Sequence, residues 1–329
     1  PTNATILDAQ GVGTITDNDA PPTVTSAANF SVVEGNAGTT AVTVTVTLSN
    51  PSYETIELTT ALTDALATIT GAATCTGFPV DYETVTAPVT VNFAPGSTTA
   101  SVVFNVCGDV IDEDNEDVTF TLTPSLGVIT VAGSDFDTVV TITDDDETPT
   151  VQIVDVIDDE ANTPFAFSVV LVDPVTGAPV AFTGRQVTLG YTLTEGSAIE
   201  PQDYTGLGGS LIIAADLDLG ANPQFINVPV VDDTVYEALE TFNVTITSAI
   251  NAVLTDNSGA NDTDPLAIGT IIDNDAPPTV TVTYVGPDLL GSPTLESNVF
   301  GLHYQITLSA PAGVDIPVNY YTIGGTASE

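Results

Sequence analysis

The chain is almost without positive charge. Of its 329 residues only Arg185 is permanently cationic, and lysine, methionine and tryptophan are absent. Nucleic acids and anionic membrane surfaces are held by basic patches, so neither is an expected partner. Without lysine there is no lysine isopeptide crosslink and no catalytic lysine. The single histidine, His303, lies in an alternating strand-like stretch. It has no second histidine with which to hold zinc. No glycine-rich phosphate loop and no G-x-S-x-G element occurs. Arg185 reads as a surface residue, and the chain reads as non-enzymatic. No run of 18 apolar residues is present, so direct membrane insertion is not expected. No signal peptide is visible. The absence of methionine implies a processed product or an excerpt of a longer chain. No stretch shows the 3.6-residue periodicity of an amphipathic helix.

Acid is what the chain has in excess. Asp and Glu total 44, for a formal net charge of -43. Repulsion on this scale opposes a compact state unless cations screen or bind it. The acids either serve solubility in a salty medium or hold metal ions, and their positions decide. Two cysteines occur, Cys75 and Cys107. An even count in a chain of extracellular character favours one disulfide; two buried thiols are the alternative.

The acids recur. "TITDNDAPPTVT" starts at Thr14, "TITDDDETPTVQ" at Thr141 and "TIIDNDAPPTVT" at Thr270, with the acidic triplets opening at Asp17, Asp144 and Asp273. Such spacing marks tandem copies of one unit of ~128 residues, large enough to bury its own core. Residues 1–20 are read as the end of a preceding unit. Residues 21–147 and 148–276 are two complete units, and 277–329 begin another. Within the first complete unit, "AVTVTVTLS" alternates Val42, Val44, Val46 and Leu48 with threonine, the pattern of a half-buried strand. Thr23–Val33, Ile56–Thr60, Pro88–Phe93, "ASVVFNV", "VTFTLT" and "TVVTIT" complete seven short strands, and the next unit repeats the order. The expected fold is all-β: tandem immunoglobulin-like antiparallel sandwiches, joined as an elongated rod by short, stiff proline junctions.

Aligned on the triplets, other acids fall into register. Glu34, Glu160 and Glu296 follow the first strand of successive units. Asp81 and Asp203 sit in D-Y pairs midway. "GDVIDEDNE" supplies Asp109, Glu113 and Glu116, and "DDTVYEALE" supplies Asp232, Asp233, Glu237 and Glu240. The ordered set resembles the Calx-beta family of calcium-binding β-sandwich modules, over essentially the whole chain. The resemblance implies that these acids gather at the end of each sandwich leading to the next. It implies calcium as the cofactor, with Glu34, Asp81, Asp109, Glu113 and Asp144, Asp145 and Asp146 as the ligand set of the first unit. Glu160, Asp203, Asp232, Asp233, Glu237, Asp273 and Asp275 form that of the second. Asp17 and Asp19 would belong to the preceding unit and Glu296 to the following one. Calcium takes six to eight hard oxygens, commonly carboxylates distant in sequence, and so suits such a set. Gly108 stands where the motif has its first aspartate, and Asn18 and Asn274 stand mid-triplet, which implies fewer or weaker ions. If Asp81 and Asp109 face one ion, Cys75 and Cys107 should also be close.

The functional expectation is a calcium-stiffened stalk, adhesin shaft or filament, extracellular or at the cell surface. Its partners would be neighbouring repeats or further copies. A calcium-sensing module of a transporter or receptor and an accessory region of a secreted hydrolase are the alternatives. The parent polypeptide is expected to continue with further units on both sides.

Overall fold

The computed structural model describes residues 2–64, 70–84, 89–124, 136–254, 265–285 and 303–323. They fall into two compact units, Pro1–Asp146 and Glu147–Glu329. Both are built from strands, and no helix occurs among the described residues.

In the first unit one sheet contains β1 (Val24–Thr25), β3 (Gly38–Leu48), β8 (Thr99–Gly108), β6 (Tyr82–Glu83) and β5 (Gly71–Ala72), in that order. The other contains β2 (Phe30–Val33), β10 (Asp137–Thr143), β9 (Glu116–Pro124), β4 (Ile56–Asp64) and β7 (Val89–Phe93). Strict alternation on β3 turns Val42, Val44, Val46 and Leu48 inward, and they join Phe93, Phe104 and Phe120 in one core.

The expected continuous strand Thr23–Val33 is two strands, β1 and β2, one in each sheet. Polar side chains hold the crossing. The Ser26 hydroxyl hydrogen-bonds that of Thr138 at 2.5 Å, and Thr138 donates onward to the Ala27 carbonyl at 2.8 Å. The Asn29 side-chain carbonyl accepts the Val139 N–H at 2.9 Å. Ser26 and Thr138 are buried, so losing the Thr138 hydroxyl takes a partner from both the Ser26 hydroxyl and the Ala27 carbonyl. Thr138→Val is therefore expected to destabilise the unit by about 1–2 kcal/mol in urea unfolding. An unchanged midpoint would show that Asn29 alone holds the crossing.

The crossing decides where the acids go. β2 pairs with β10 in parallel, with Val33 opposite Thr143, so both strands exit at one end of the sandwich. Glu34 follows β2 and the triplet follows β10. β8 runs antiparallel to β3 with Gly108 opposite Gly38, and β9 antiparallel to β10 with Glu116 opposite Ile142. The end of β8 and the start of β9 therefore meet at the same end.

The second unit repeats the plan. One sheet contains β11 (Thr150–Ile153), β13 (Phe165–Val172), β18 (Gln224–Val228) and β20 (Val253–Leu254). The other contains β12 (Val156–Asp159), β21 (Leu266–Ile272), β19 (Glu240–Ile250), β15 (Val187–Glu195) and β16 (Gly208–Ile213). A small pair, β14 (Phe182–Thr183) with β17 (Leu217–Asp218), stands outside both. The first strand again divides, into β11 and β12. Asp155 takes the part of Asn29 and accepts the Ile268 N–H at 2.8 Å. β12 and β21 are parallel with Asp159 opposite Ile272, which brings Glu160 to the second triplet. At the core, the Phe242 ring stacks on Tyr204 at 4.5 Å and meets the edge of Phe167 at 5.8 Å.

Beyond it, β22 (Val280–Tyr284) and β23 (Tyr304–Leu308) form a two-stranded sheet. Two further stretches with the alternation of strands form none among the described residues. "GVGTIT", residues 11–16, and "IPVNYYTI", residues 316–323, pair with nothing regular. A strand without a neighbour leaves its backbone groups to water, and alternation alone does not hold it extended.

Candidate metal centre

The D-Y pairs show how one unit builds its site. Tyr82 and Tyr204 are buried, so each tyrosine plugs the core and turns the preceding aspartate to the end of the sandwich. Asp81 accepts the Thr70 N–H through its carboxylate, and its N–H donates to the Thr70 carbonyl at 2.9 Å. Asp203 makes the same reciprocal pair with Ile199, at 2.6 Å and 2.9 Å. The backbone of β8 docks in turn: Cys107 N–H donates to the Asp81 carbonyl at 2.9 Å, as Val231 N–H does to Asp203 at 2.9 Å.

In the first unit Glu34, Asp144 and Asp146 each present an oxygen within 4.8 Å of the others. Glu34 is only 4 % exposed. Burial, then the charges of Asp109, Asp144, Asp146 and Asp81, push its carboxyl up to about 9. Glu113 is pushed up to about 9 by burial and by Asp81, Asp109, Glu34 and Glu116. Asp146 rises to about 6 through burial and the charges of Asp144, Asp109 and Asp145, against a hydrogen bond from the Asn36 amide at 2.7 Å. Burial also raises Asp109, although the N–H groups of Ile111 and Val110 oppose it. Asp145 is exposed and accepts the Gly35 N–H at 3.0 Å, fastening the Glu34 turn rather than joining the tight group.

The second unit carries two such groups, Glu160 with Asp273 and Asp275, and Asp203 with Glu237 and Glu240. Burial drives Glu160 up to about 7, with Asp273, Asp233 and Asp232 adding to it against the Asn274 N–H. Glu240 is raised to about 7 by burial and by its hydrogen bond with Asp203. Burial raises Glu237 too, and the charges of Asp203, Asp233, Asp273 and Asp275 link the two groups through it. Asp275 is raised by desolvation and by Asp273, Asp233 and Asp232.

Several positions differ from the sequence reading. Glu240 belongs to a ligand-like group, and Glu116, its counterpart in the first unit, is buried and acts on Glu113. Both stood at the end of the D-D-x-x-x-E-x-x-E run, which was the available signal. Asn274 directs its amide N–H groups to Asp159 at 3.0 Å and Asp232 at 3.2 Å, so it positions carboxylates rather than adding an oxygen. A Cβ at Gly108 would lie 2.7 Å from the Glu34 carbonyl oxygen and closer still to that of Gly35. The turn after β2 thus occupies the space that the first aspartate of the motif would need. Asp17 and Asp19 are exposed, linked only by the Asp19 N–H to Asp17 at 3.0 Å, and join no acidic group among the described residues. They follow a segment with no strands beside it, so no loops bring further acids to them. Glu296 lies outside the described residues. Cys75 and Cys107 form a disulfide with Cα atoms 5.4 Å apart.

The donor set fits a hard divalent cation. Glu34 Oε1, Asp146 Oδ2, Asp273 Oδ1 and Asp275 Oδ2 are buried with no hydrogen-bond partner. Buried anionic oxygens without donors are costly, and a cation bound by oxygen is the partner that satisfies several at once.

The Calx-beta domain model matches residues 17–146 and 175–275, more than half of the chain. No curated protein matches. Among solved structures, CBD12 from CALX1.2 is 18 % identical with a TM-score of 0.31, covering 69 % of this chain and 80 % of its own. The apo form of the Calx CBD1 domain is 19 % identical with a TM-score of 0.28, covering 39 % of this chain and 100 % of its own. A two-domain protein of unknown function from Bacteroides fragilis is 11 % identical with a TM-score of 0.28, covering 64 % and 84 %.

Proposed function

The chain belongs to the Calx-beta domain family, and from that premise we propose that it is a calcium-stiffened structural repeat region of a stalk, adhesin shaft or surface filament. Glu34, Asp81, Asp109, Glu113, Asp144 and Asp146 would hold calcium in the first unit. Glu160, Asp203, Asp232, Asp233, Glu237, Glu240, Asp273 and Asp275 would do so in the second. Bound calcium supplies positive charge that offsets the mutual repulsion of these acids. Asn36, Asn115 and Asn274 orient the carboxylates, Asn115 by accepting the Asp144 N–H at 3.1 Å. The disulfide supports an oxidising compartment, hence an extracellular or surface location. Recurrence of the same acids in each unit supports a repeated structural ion over a single catalytic centre.

One observation carries the mechanical reading. The loop that brings Glu237 to its group also holds a later segment of the chain: Gly313 N–H donates to the Tyr236 carbonyl at 2.9 Å, and Tyr236 bridges Ala312. A Cβ at Gly313 would lie 2.7 Å from Glu237 Oε1. A ligand fixing Glu237 therefore fixes the chain beyond the triplet, where Pro277 and Pro278 already restrict it. Small-angle scattering on the whole chain at matched ionic strength is expected to give a larger radius of gyration with calcium than with chelator. Equal dimensions, with calcium binding retained, would sink the stiffening role and favour a sensing module.

A further inference from the structure

The two D-Y sites are closed differently. In the second unit the residue that receives the Asp203 carboxylate, Ile199, lies four positions upstream, so a single turn suffices. In the first unit Thr70 performs the same task from eleven positions upstream. The intervening loop runs through β5, which pairs in parallel with β6 at Gly71 and Tyr82. Loop closure costs more for a longer loop, and ten intervening residues do not hold Asp81 as three hold Asp203. Cys75 lies midway along that loop, and its disulfide reaches Cys107, the residue whose N–H holds the Asp81 carbonyl and which stands two before Asp109. Glu83 ties the same elements, accepting Cys75 N–H at 3.4 Å and the Asn105 amide at 2.7 Å. The second unit places Val231 where the first has Cys107, and it contains no cysteine. Cys75 is half-buried, within reach of a small dithiol reductant, which would supply the two electrons and two protons that convert the disulfide to two thiols while itself becoming a disulfide.

We propose that the Cys75–Cys107 disulfide positions Asp81 and makes the calcium affinity of the first unit redox-dependent, while that of the second is not. This inference rests on the calcium reading above. The bond takes the place of the short turn. With it, Asp81 and Asp109 are presented from elements fastened to each other. Without it, the loop from Gly71 to Val80 is free to carry Asp81 away.

Calcium titration calorimetry on the whole chain tests it, with Glu160→Gln, Asp273→Asn, Glu237→Gln and Glu240→Gln silencing both groups of the second unit, or Glu34→Gln and Asp146→Asn silencing the first. With the second unit silenced, reduction or Cys75→Ser with Cys107→Ser is expected to weaken the remaining site about tenfold or more, the scale of outer-shell changes at metal sites. With the first silenced, oxidised and reduced chains should bind alike. Hydrogen exchange in chelator gives a metal-free readout: the Thr70, Asp81 and Cys107 amides should exchange faster on reduction. A third chain replaces Gly71–Val80 by the three residues Glu200–Gln202 and carries Cys107→Val. It should bind tightly with or without reductant. Equal affinity of the first site in both redox states overturns the proposal while leaving calcium binding intact. No calcium binding in either state overturns the calcium reading and the proposal together. Global loss of sheet structure on reduction, seen by circular dichroism, also overturns it, because the bond would then hold the sandwich rather than the site.

Discussion

Calcium should raise the melting temperature of this chain by roughly 10 °C over chelator at neutral pH and matched ionic strength. The estimate follows from linkage: a ligand that binds only the native state at a hundredfold excess over Kd adds about 2.7 kcal/mol per site. For a unit of ~130 residues each kcal/mol is worth several degrees. The folded chain starts from a disadvantage that calcium is suited to remove. Glu34 and Glu160 are buried beside other acids, and four carboxylate oxygens of the triplets and their partners lack donors. Sodium or potassium at equal ionic strength screens the exposed charges but does not reach these oxygens as a hard divalent ion does. The control is therefore salt alone. If salt and calcium produce the same shift, the acids serve surface charge, and the calcium reading fails. Glu34→Gln should remove the part of the increment that belongs to the first unit and leave the second.

Much of the fold was legible because sandwich strands declare themselves by alternation. Val42 to Leu48 could face inward in only one way, and the matching runs in the next unit fixed the fold class. The division of the first strand was not legible. Ser26 and Asn29 interrupt no hydrophobic pattern, and their role depends on Thr138 and Val139, more than a hundred residues away. That division makes the parallel pairing that unites Glu34 with Asp144 and Asp146, so the geometry of this acidic group was hidden in the sequence. Gly108 illustrates the limit well. Its departure from the motif was visible, but the carbonyl groups of Glu34 and Gly35 that forbid a side chain there were not. Asn274 was visible as a substitution at a ligand position; its use as a donor to Asp159 and Asp232 follows from where β12 and β21 place those carboxylates. "GVGTIT" has the pattern of a strand and forms none, because strand pattern is a statement about neighbours, and residues 11–16 have none among the described residues.

In chelator the chain should lose stability as pH rises from about 5 to 9, and the gap between calcium and chelator should open over the same window. The folded-state carboxyls of Glu34 and Glu113 titrate near 9, those of Glu160 and Glu240 near 7 and that of Asp146 near 6, against ordinary values of 4.5 for glutamate and 3.8 for aspartate. Across the window the folded chain thus holds more protons than the unfolded chain, so unfolding becomes easier with each step up in pH. Only below the ordinary values of 3.8 and 4.5 are both states protonated and the penalty absent. Above the folded values it is present in full. Calcium binding requires the ionised acids and displaces those protons, so its increment should be small at pH 5 and largest near pH 8 to 9. The chain has one histidine and no lysine, so it holds few other side chains of the types that change charge in this window. Glu34→Gln gives the sharpest form of the test. At pH 8 in chelator it should stabilise the first unit by roughly 1–3 kcal/mol, because the neutral amide takes the buried position without the cost of protonating a carboxyl that is ionised in the unfolded chain. In calcium the same substitution should destabilise, since it removes a ligand oxygen's charge from the set. A substitution whose sign depends on calcium separates a metal centre from a patch of surface acid, which would respond with one sign in both. Loss of stability in both conditions would mean that Glu34 is held by its surroundings as an ordinary buried group, and the metal centre of the first unit would have to be abandoned.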